Sequence, residues 1–204
     1  GLAGMIMGSV HAIMEEDTRR MIAYSSVAQI GYIYMGIGLG TQAGMVAAVF
    51  HMFTHSATKA LLFISAVGLY EVSGDKKDYR SLRGAGYRNP LAGIGFAVGA
   101  LSMVGFPMLA GFISKLLFAT SALQSPHKMI PTLIVLAVST ILNAIYFLRL
   151  VITLYSGGGS EKKGKASSWK LRAAILCFIL LNLVLGLKSQ PVVQAIWDGL
   201  AMFD

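Results

Sequence analysis

Apolar runs of about 20 residues follow one another along the whole of this chain. That recurrence leaves one class of fold, a bundle of membrane-crossing helices. A hydrocarbon core of about 30 Å takes ~20 residues of α-helix to cross, and inside it every backbone N–H and C=O must be bonded within its own segment. Only 13% of residues are charged and the mean hydropathy is +0.67, so no stretch is left over for a separate soluble domain. The net charge of +8 would point to nucleic acid in a soluble protein. Here the basic residues crowd into particular loops, as membrane topology requires, and a nucleic-acid partner is excluded in favour of the lipid bilayer. The one cysteine, Cys177, lies inside an apolar run. It excludes an internal disulfide and a cysteine-built metal site.

Six crossings account for the sequence: Gly1 to about Met14, Met21–Leu39, Ala43–Tyr70, Pro90 to about Leu123, Ile130–Tyr155 and Leu171–Leu187. The chain opens at Gly1 already within an apolar run, and it is expected to be the carboxy-terminal piece of a larger protein. Lysine and arginine alternate between loops. Arg19 and Arg20 mark the first, Lys76, Lys77, Arg80, Arg83 and Arg88 the third, and Lys162, Lys163, Lys165 and Lys170 the fifth. The second loop has none and the fourth only Lys128. The odd loops are therefore expected in the cytoplasm and both chain ends outside. This alternation also makes Pro90–Leu123 one crossing, because two would move the basic fifth loop outward. Its centre, Gly105-Phe106-Pro107 through Gly111, combines a residue without an N–H donor and residues that loosen the backbone. An interrupted helix of this kind often marks an ion or substrate site, and a plain proline kink is the alternative. The chain divides into residues 1–155, a basic connector at 156–170, and a final helix with an amphipathic, Trp197-anchored tail at 171–204.

The third crossing carries His51, His55 and Lys59 at successive spacings of four. That puts them on one helical face, roughly 12 Å from first to last. A lysine at the centre of a membrane helix costs on the order of 2.5–3.5 kcal/mol even on insertion scales. Lys115 is a second intramembrane cation, just beyond the break and too deep to snorkel comfortably. All carboxylates lie in loops or near ends, and Glu71 is roughly 18 Å from Lys59 along their shared helix. Away from water the neutral amine gains on the ammonium. Lys59 and Lys115 are thus expected to exchange protons near neutral pH, or to be held charged by water or by an acid from another segment. Histidine titrates near neutrality, so His51 and His55 are read as a proton relay with Lys59; two packed, hydrogen-bonded histidines are the plainer alternative. Zinc would need a third ligand, and none is in view. Thr54 and Thr58 share the helix, Asn143 reads as helix–helix glue, and Arg149 reads as snorkelling to the cytoplasmic interface. His11 and Arg19 are second-tier candidates near the first loop. No phosphate cradle, nucleophile elbow or cofactor fingerprint appears, so no cofactor is expected on this chain.

Three ordered segments carry a resemblance: DTRRMIAYSSVAQIGY (Asp17–Tyr32), FHMFTHSATKALLF (Phe50–Phe63) and GFPMLAGFISK (Gly105–Lys115). The chain resembles the antiporter-like membrane subunits of respiratory complex I, of membrane-bound hydrogenases and of Mrp-type sodium/proton antiporters. The likeness implies an all-α polytopic protein of six transmembrane helices, one interrupted, forming the second of two inverted repeats plus a final helix. It implies Lys59 as a central proton carrier, His51 and His55 as proton bridges, and Lys115 as the exchange point to the outer half-channel. Two departures stand out. Arg19-Arg20 occupies a place usually written Lys-Arg, and His11 stands where a small or apolar residue is commoner.

The expected function is proton translocation as an antiporter-like subunit of a complex I-like NADH:quinone oxidoreductase, with redox chemistry on partner subunits. A large subunit of a multi-subunit sodium/proton antiporter is the runner-up, and a non-transporting scaffold the third class. The expected partners are other membrane subunits of a respiratory, hydrogenase or antiporter complex, together with protons, with sodium as the alternative ion. The expected location is a bacterial or archaeal cytoplasmic membrane.

Overall fold

The computed structural model describes residues 1–157, 167–200 and 202. Most of the basic connector at 156–170, including Lys162, Lys163 and Lys165, lies outside the described residues, as do Ala201, Phe203 and Asp204 of the tail. The described helices are α1 (Leu2–Met14), α2 (Thr18–Gly38), α3 (Gln42–Glu71), α4 (Ala85–Arg88), α5 (Pro90–Val104), α6 (Ala110–Ala122), α7 (Pro126–Leu154), α8 (Trp169–Leu187) and α9 (Ser189–Leu200). No strand occurs among the described residues; the one β-bridge joins Asp17 to Asp78.

Local chemistry sets the helix starts. Asp17 accepts the Arg20 N–H, Thr41 the Gly44 N–H, Asn89 the Ala92 N–H and Ser168 the Leu171 N–H. Each satisfies one of the four donors orphaned at a helix N-terminus. Pro90 and Pro126 occupy first-turn positions, where no donor is lost. α3 is the hub, packed against α2, α5, α6, α8 and α9. Leu61, Leu62, Ala66 and Leu69 of α3 join Phe96 of α5 and Phe147 and Leu150 of α7 in the main core. The outer faces of α7 and α8 are apolar, with Ile134, Ile141, Ile152, Leu176 and Leu180 exposed. Ser9, Ser25, Gln29, Asn143 and Asn182 are buried instead. This inversion of the soluble pattern suits a protein whose solvent is lipid.

The fourth expected crossing is interrupted as anticipated, with one adjustment. The break covers 105–109 and Gly111 already belongs to α6. The helices of the fifth and sixth expected crossings start earlier than the apolar pattern gave, at Pro126 and Trp169, and the tail helix starts at Ser189. Hydrophobicity marks the buried centre of a helix, whereas caps mark its start. By length and composition α3, α7 and α8 are able to span a membrane. At 13, 15 and 13 residues, α1, α5 and α6 each fall short of the ~17 a lone spanning helix needs. α2 has 21 residues, but Arg19, Arg20, Ser25, Ser26 and Gln29 dilute its apolar character.

The loops gather by parity. Thr18 N–H donates to Lys77 O at 2.9 Å and Tyr79 N–H to Glu16 O at 3.3 Å, which ties the first loop to the third. At the opposite end, Ser125 Oγ donates to Leu39 O at 3.0 Å and Lys128 Nζ to Gly38 O at 2.8 Å, tying the fourth to the second. α9 lays Val192 against Ala57, Ala110 and Leu185. It turns Gln194 and Asp198 outward, bonded to each other at 2.7 Å.

Candidate functional site

The site forms where α3 passes the break between α5 and α6. His51 and His55 stack with ring centroids 6.0 Å apart and 19° between planes. His51 Nδ1 lies 2.6 Å from Ser114 Oγ, one residue before Lys115 on α6. The Tyr32 ring of α2 stacks on His51 at 5.5 Å, and Lys115 Nζ sits 5.7 Å from the centroid of the same Tyr32 ring. The fold thus brings His51 and Lys115 against one tyrosine. It also leaves His51 Nε2 and His55 Nδ1 buried with no hydrogen-bond partner among the described residues.

The break gives Lys115 its seat. α5 ends with Gly105 at φ +93°, and the Phe106 N–H folds back to Leu101 O at 2.9 Å. This six-to-one closure is favoured by glycine's freedom in the left-handed region. Met108 also has positive φ, +74°, a strain on the order of 1–3 kcal/mol for such a residue. A Cβ on Gly111 would meet Ser102 O at 1.8 Å, so only glycine lets α6 begin this close to the end of α5. Val104 O, left over at the negative end of α5, accepts from Lys115 Nζ at 2.8 Å; Thr140 Oγ1 of α7 accepts from it at 3.0 Å. Behind the break, Asn182 Oδ1 of α8 accepts from Thr58 at 2.7 Å and from Ser102 at 3.0 Å. Thr58 therefore serves packing, while Thr54 bonds its own helix at His51 O.

Lys59 is buried, with 6% of its surface exposed. Its Nζ donates to Ile22 O of α2 at 2.6 Å and to Ser25 Oγ. Among the described residues both lysines thus have the same partner set: one backbone carbonyl, one hydroxyl and no carboxylate. A carbonyl only accepts, whereas a hydroxyl accepts from an ammonium or donates to a neutral amine. Among the described residues the ion pair is Arg20 with Glu15, 2.8 Å apart at the first loop.

A second polar seam runs along α7. Tyr146 OH donates to Asn143 Oδ1 at 2.5 Å and also faces Ser9 and Ser25. Asn143 Nδ2 donates to Tyr32 OH at 3.5 Å, and Tyr32 OH donates to Ser139 Oγ at 3.1 Å. Asn143 does hold helices together, bridging α7 to α1 and α2. Ser25, Tyr32, Ser114, Thr140 and Tyr146 were not singled out from sequence. The signal for α7 was present: Ser139, Asn143 and Tyr146 fall at spacings of four and three, on one face.

His11 and Arg19 are not brought to this cluster. His11 is exposed, its Nδ1 2.8 Å from Met7 O and its ring stacked on Tyr24 at 5.3 Å. Arg19 is exposed in the first turn of α2. Arg149 reaches Tyr79 of the third loop, its guanidinium 4.8 Å from the ring centroid. Among the described residues no three His, Cys, Asp or Glu side chains gather as a metal would need.

Comparisons with known proteins bear on the family and the fold. The family model described as NADH:quinone oxidoreductase/Mrp antiporter, TM, matches residues 1–143. NADH-quinone oxidoreductase subunit N of Desulforudis audaxviator is 36% identical over 206 residues, covering 94% of this chain and 40% of that protein. The chain therefore spans about 40% of the length of this relative. A chain of the Mrp complex from Dietzia sp. superposes with TM-score 0.87 at 24% identity, covering 96% of this chain and 44% of that one, a likeness of fold alone. A chain of respiratory complex I from Thermus thermophilus gives TM-score 0.75 at 28% identity, with 96% and 44% covered.

Proposed function

The chain belongs to the NADH:quinone oxidoreductase/Mrp antiporter transmembrane family, and from that membership we propose that it carries protons within a complex I-like membrane complex. The observation that carries the proposal is the shared partner set of Lys59 and Lys115. Each amine is held by a carbonyl and a hydroxyl, a cradle that serves the protonated and the neutral form alike. A carboxylate in that place would hold the ammonium by pairing with it.

Protons pass from Lys59 to His55 and His51, and from there by Ser114 to Lys115. Each imidazole takes a proton on one ring nitrogen and releases one from the other. Their unpartnered nitrogens, His51 Nε2 and His55 Nδ1, are the free positions such a relay needs. Lys115, at the broken end of α5, is the exchange point with the far side. In this reading the chain makes six crossings, α5 and α6 together making one, and forms the second inverted repeat plus a final helix. Residues 1–155 make the repeat, 156–170 a cytoplasmic connector and 171–204 the final helix and tail. Other membrane subunits, of the kind that surround the relatives, complete the complex, and electron transfer is theirs. The membrane is a bacterial or archaeal cytoplasmic one.

Proton transport by the complete complex reconstituted in vesicles tests this, measured in sodium-free and sodium-containing buffer. Lys59→Met and Lys115→Met are each expected to lower the rate at least about tenfold, the scale of losing an acid–base group. The rate in unaltered complex is expected to be independent of sodium. Undiminished transport in both variants contradicts the proposal; a sodium requirement points to exchange instead.

A further inference from the structure

Three buried hydroxyls without hydrogen-bond partners among the described residues lie at the basic-loop end of the bundle. They are Thr18 Oγ1 at the start of α2, Tyr70 OH at the end of α3 and Tyr79 OH in the loop that follows. Thr18 is 0% exposed and the two tyrosines 9% each. Burying a hydroxyl unbonded costs on the order of 1–3 kcal/mol, so three from three different elements are not an accident of packing. The loop register puts them there: the Thr18–Lys77 and Tyr79–Glu16 backbone bonds clamp the third loop onto the start of α2.

Tyr79 lines a cavity of about 460 Å³ with Glu16, Asp78, Arg80 and Arg149. Tyr70 feels the charges of Asp17 and Arg19 and the phenol of Tyr79. Thr18 lies one turn before Ile22 on α2, about 6 Å by helical rise, and the Ile22 carbonyl holds Lys59. The carbonyl itself only accepts, so a proton leaving Thr18 reaches the Lys59 amine through bridging water. Burial pushes the Tyr79 phenol up to about 12, with Arg149 opposing. It therefore remains a neutral O–H across the working pH range.

We propose that protons reach Lys59 from the basic-loop side through this entry, collected at Glu16 in the cavity and passed by Tyr79, Tyr70 and Thr18. None of the three bonds another directly, so bridging waters carry the proton between them; each hydroxyl takes it on an oxygen lone pair and passes its own to the next water, and none is left charged. His11 plays no part, being exposed on the Tyr24 side of α1. The entry rests on the reading of Lys59 as a proton carrier.

The test is proton uptake from the basic-loop side by the complete complex, followed with a pH dye. Tyr70→Phe with Tyr79→Phe, and separately Thr18→Val, remove hydroxyls while keeping shape. If the hydroxyls only packed, uptake would be unchanged; the entry predicts a loss of about fivefold or more, as for a misplaced proton donor. Glu16→Gln, at an exposed position, is expected to slow uptake in dilute buffer and recover when mobile buffer is raised. Lys59→Met is the companion variant. Full uptake in the hydroxyl variants and in Glu16→Gln, with uptake abolished in Lys59→Met, overturns the entry and leaves the carrier intact. Full uptake in Lys59→Met removes the carrier, and the entry with it.

Discussion

Lys59 and Lys115 exchange a hydration shell for two neutral dipoles each, and in an apolar interior that exchange is costly for an ammonium. The hydroxyl in each pair makes the site adaptable. Ser25 and Thr140 can turn their protons toward a backbone carbonyl, Ile22 O or Leu136 O, when the lysine is charged, or toward the lysine when it is neutral. Between the lysines, Ser114 fixes the tilt of the His51 ring through a 2.6 Å contact. Replacing Ser114 with alanine leaves the packing of α6 nearly unchanged and frees the ring. The expected result is transport about 3- to 10-fold slower, as misaligned donors produce, at an unchanged level of assembled complex. An unaltered rate would mean that Ser114 does not orient the relay.

At the scale of helices, the break between α5 and α6 is the element on which the site depends. Its geometry rests on Gly105 at positive φ and on the closeness of Gly111 to Ser102. Gly111→Ala drives a methyl into a backbone oxygen, so α6 must back away and carry Lys115 off Val104 O. Transport is expected to fall to background, and cross-linking between cysteines placed on α5 and α6 is expected to weaken; full transport in this variant would separate Lys115 from the break. Much of this element was legible beforehand, because Gly105 and Pro107 announce a stop inside an apolar run. The face bearing His51, His55 and Lys59 was legible for a similar reason, being periodic within one helix. What sequence hid was pairing between helices. Ser25 meets Lys59 and Thr140 meets Lys115 across 34 and 25 residues, and Asn143 meets Tyr32 across 111. Small polar residues scattered through apolar helices give no sign of their partners. α4 was missed because four residues are too few for a periodic signal.

For the molecule as a whole, the alternation of basic loops and the clamps at each end describe one bundle with two distinct faces. The first and third loops share the Asp17–Asp78 bridge, while the second and fourth share Ser125 and Lys128. The polar residues follow this polarity. Glu16, Asp78 and Tyr79 lie at the basic-loop end, Lys59 further in, and the histidines and Lys115 further along α3 and beside the break. The whole account turns on the histidines conducting between the two lysines, since Asn143 in the parallel seam is an amide that does not titrate. The direct measurement is proton transport by the complete complex carrying His51→Gln and His55→Gln, which keep hydrogen bonding and remove titration, with both lysines in place. The account predicts a loss of at least about tenfold at pH 7; transport at the unaltered rate would contradict it.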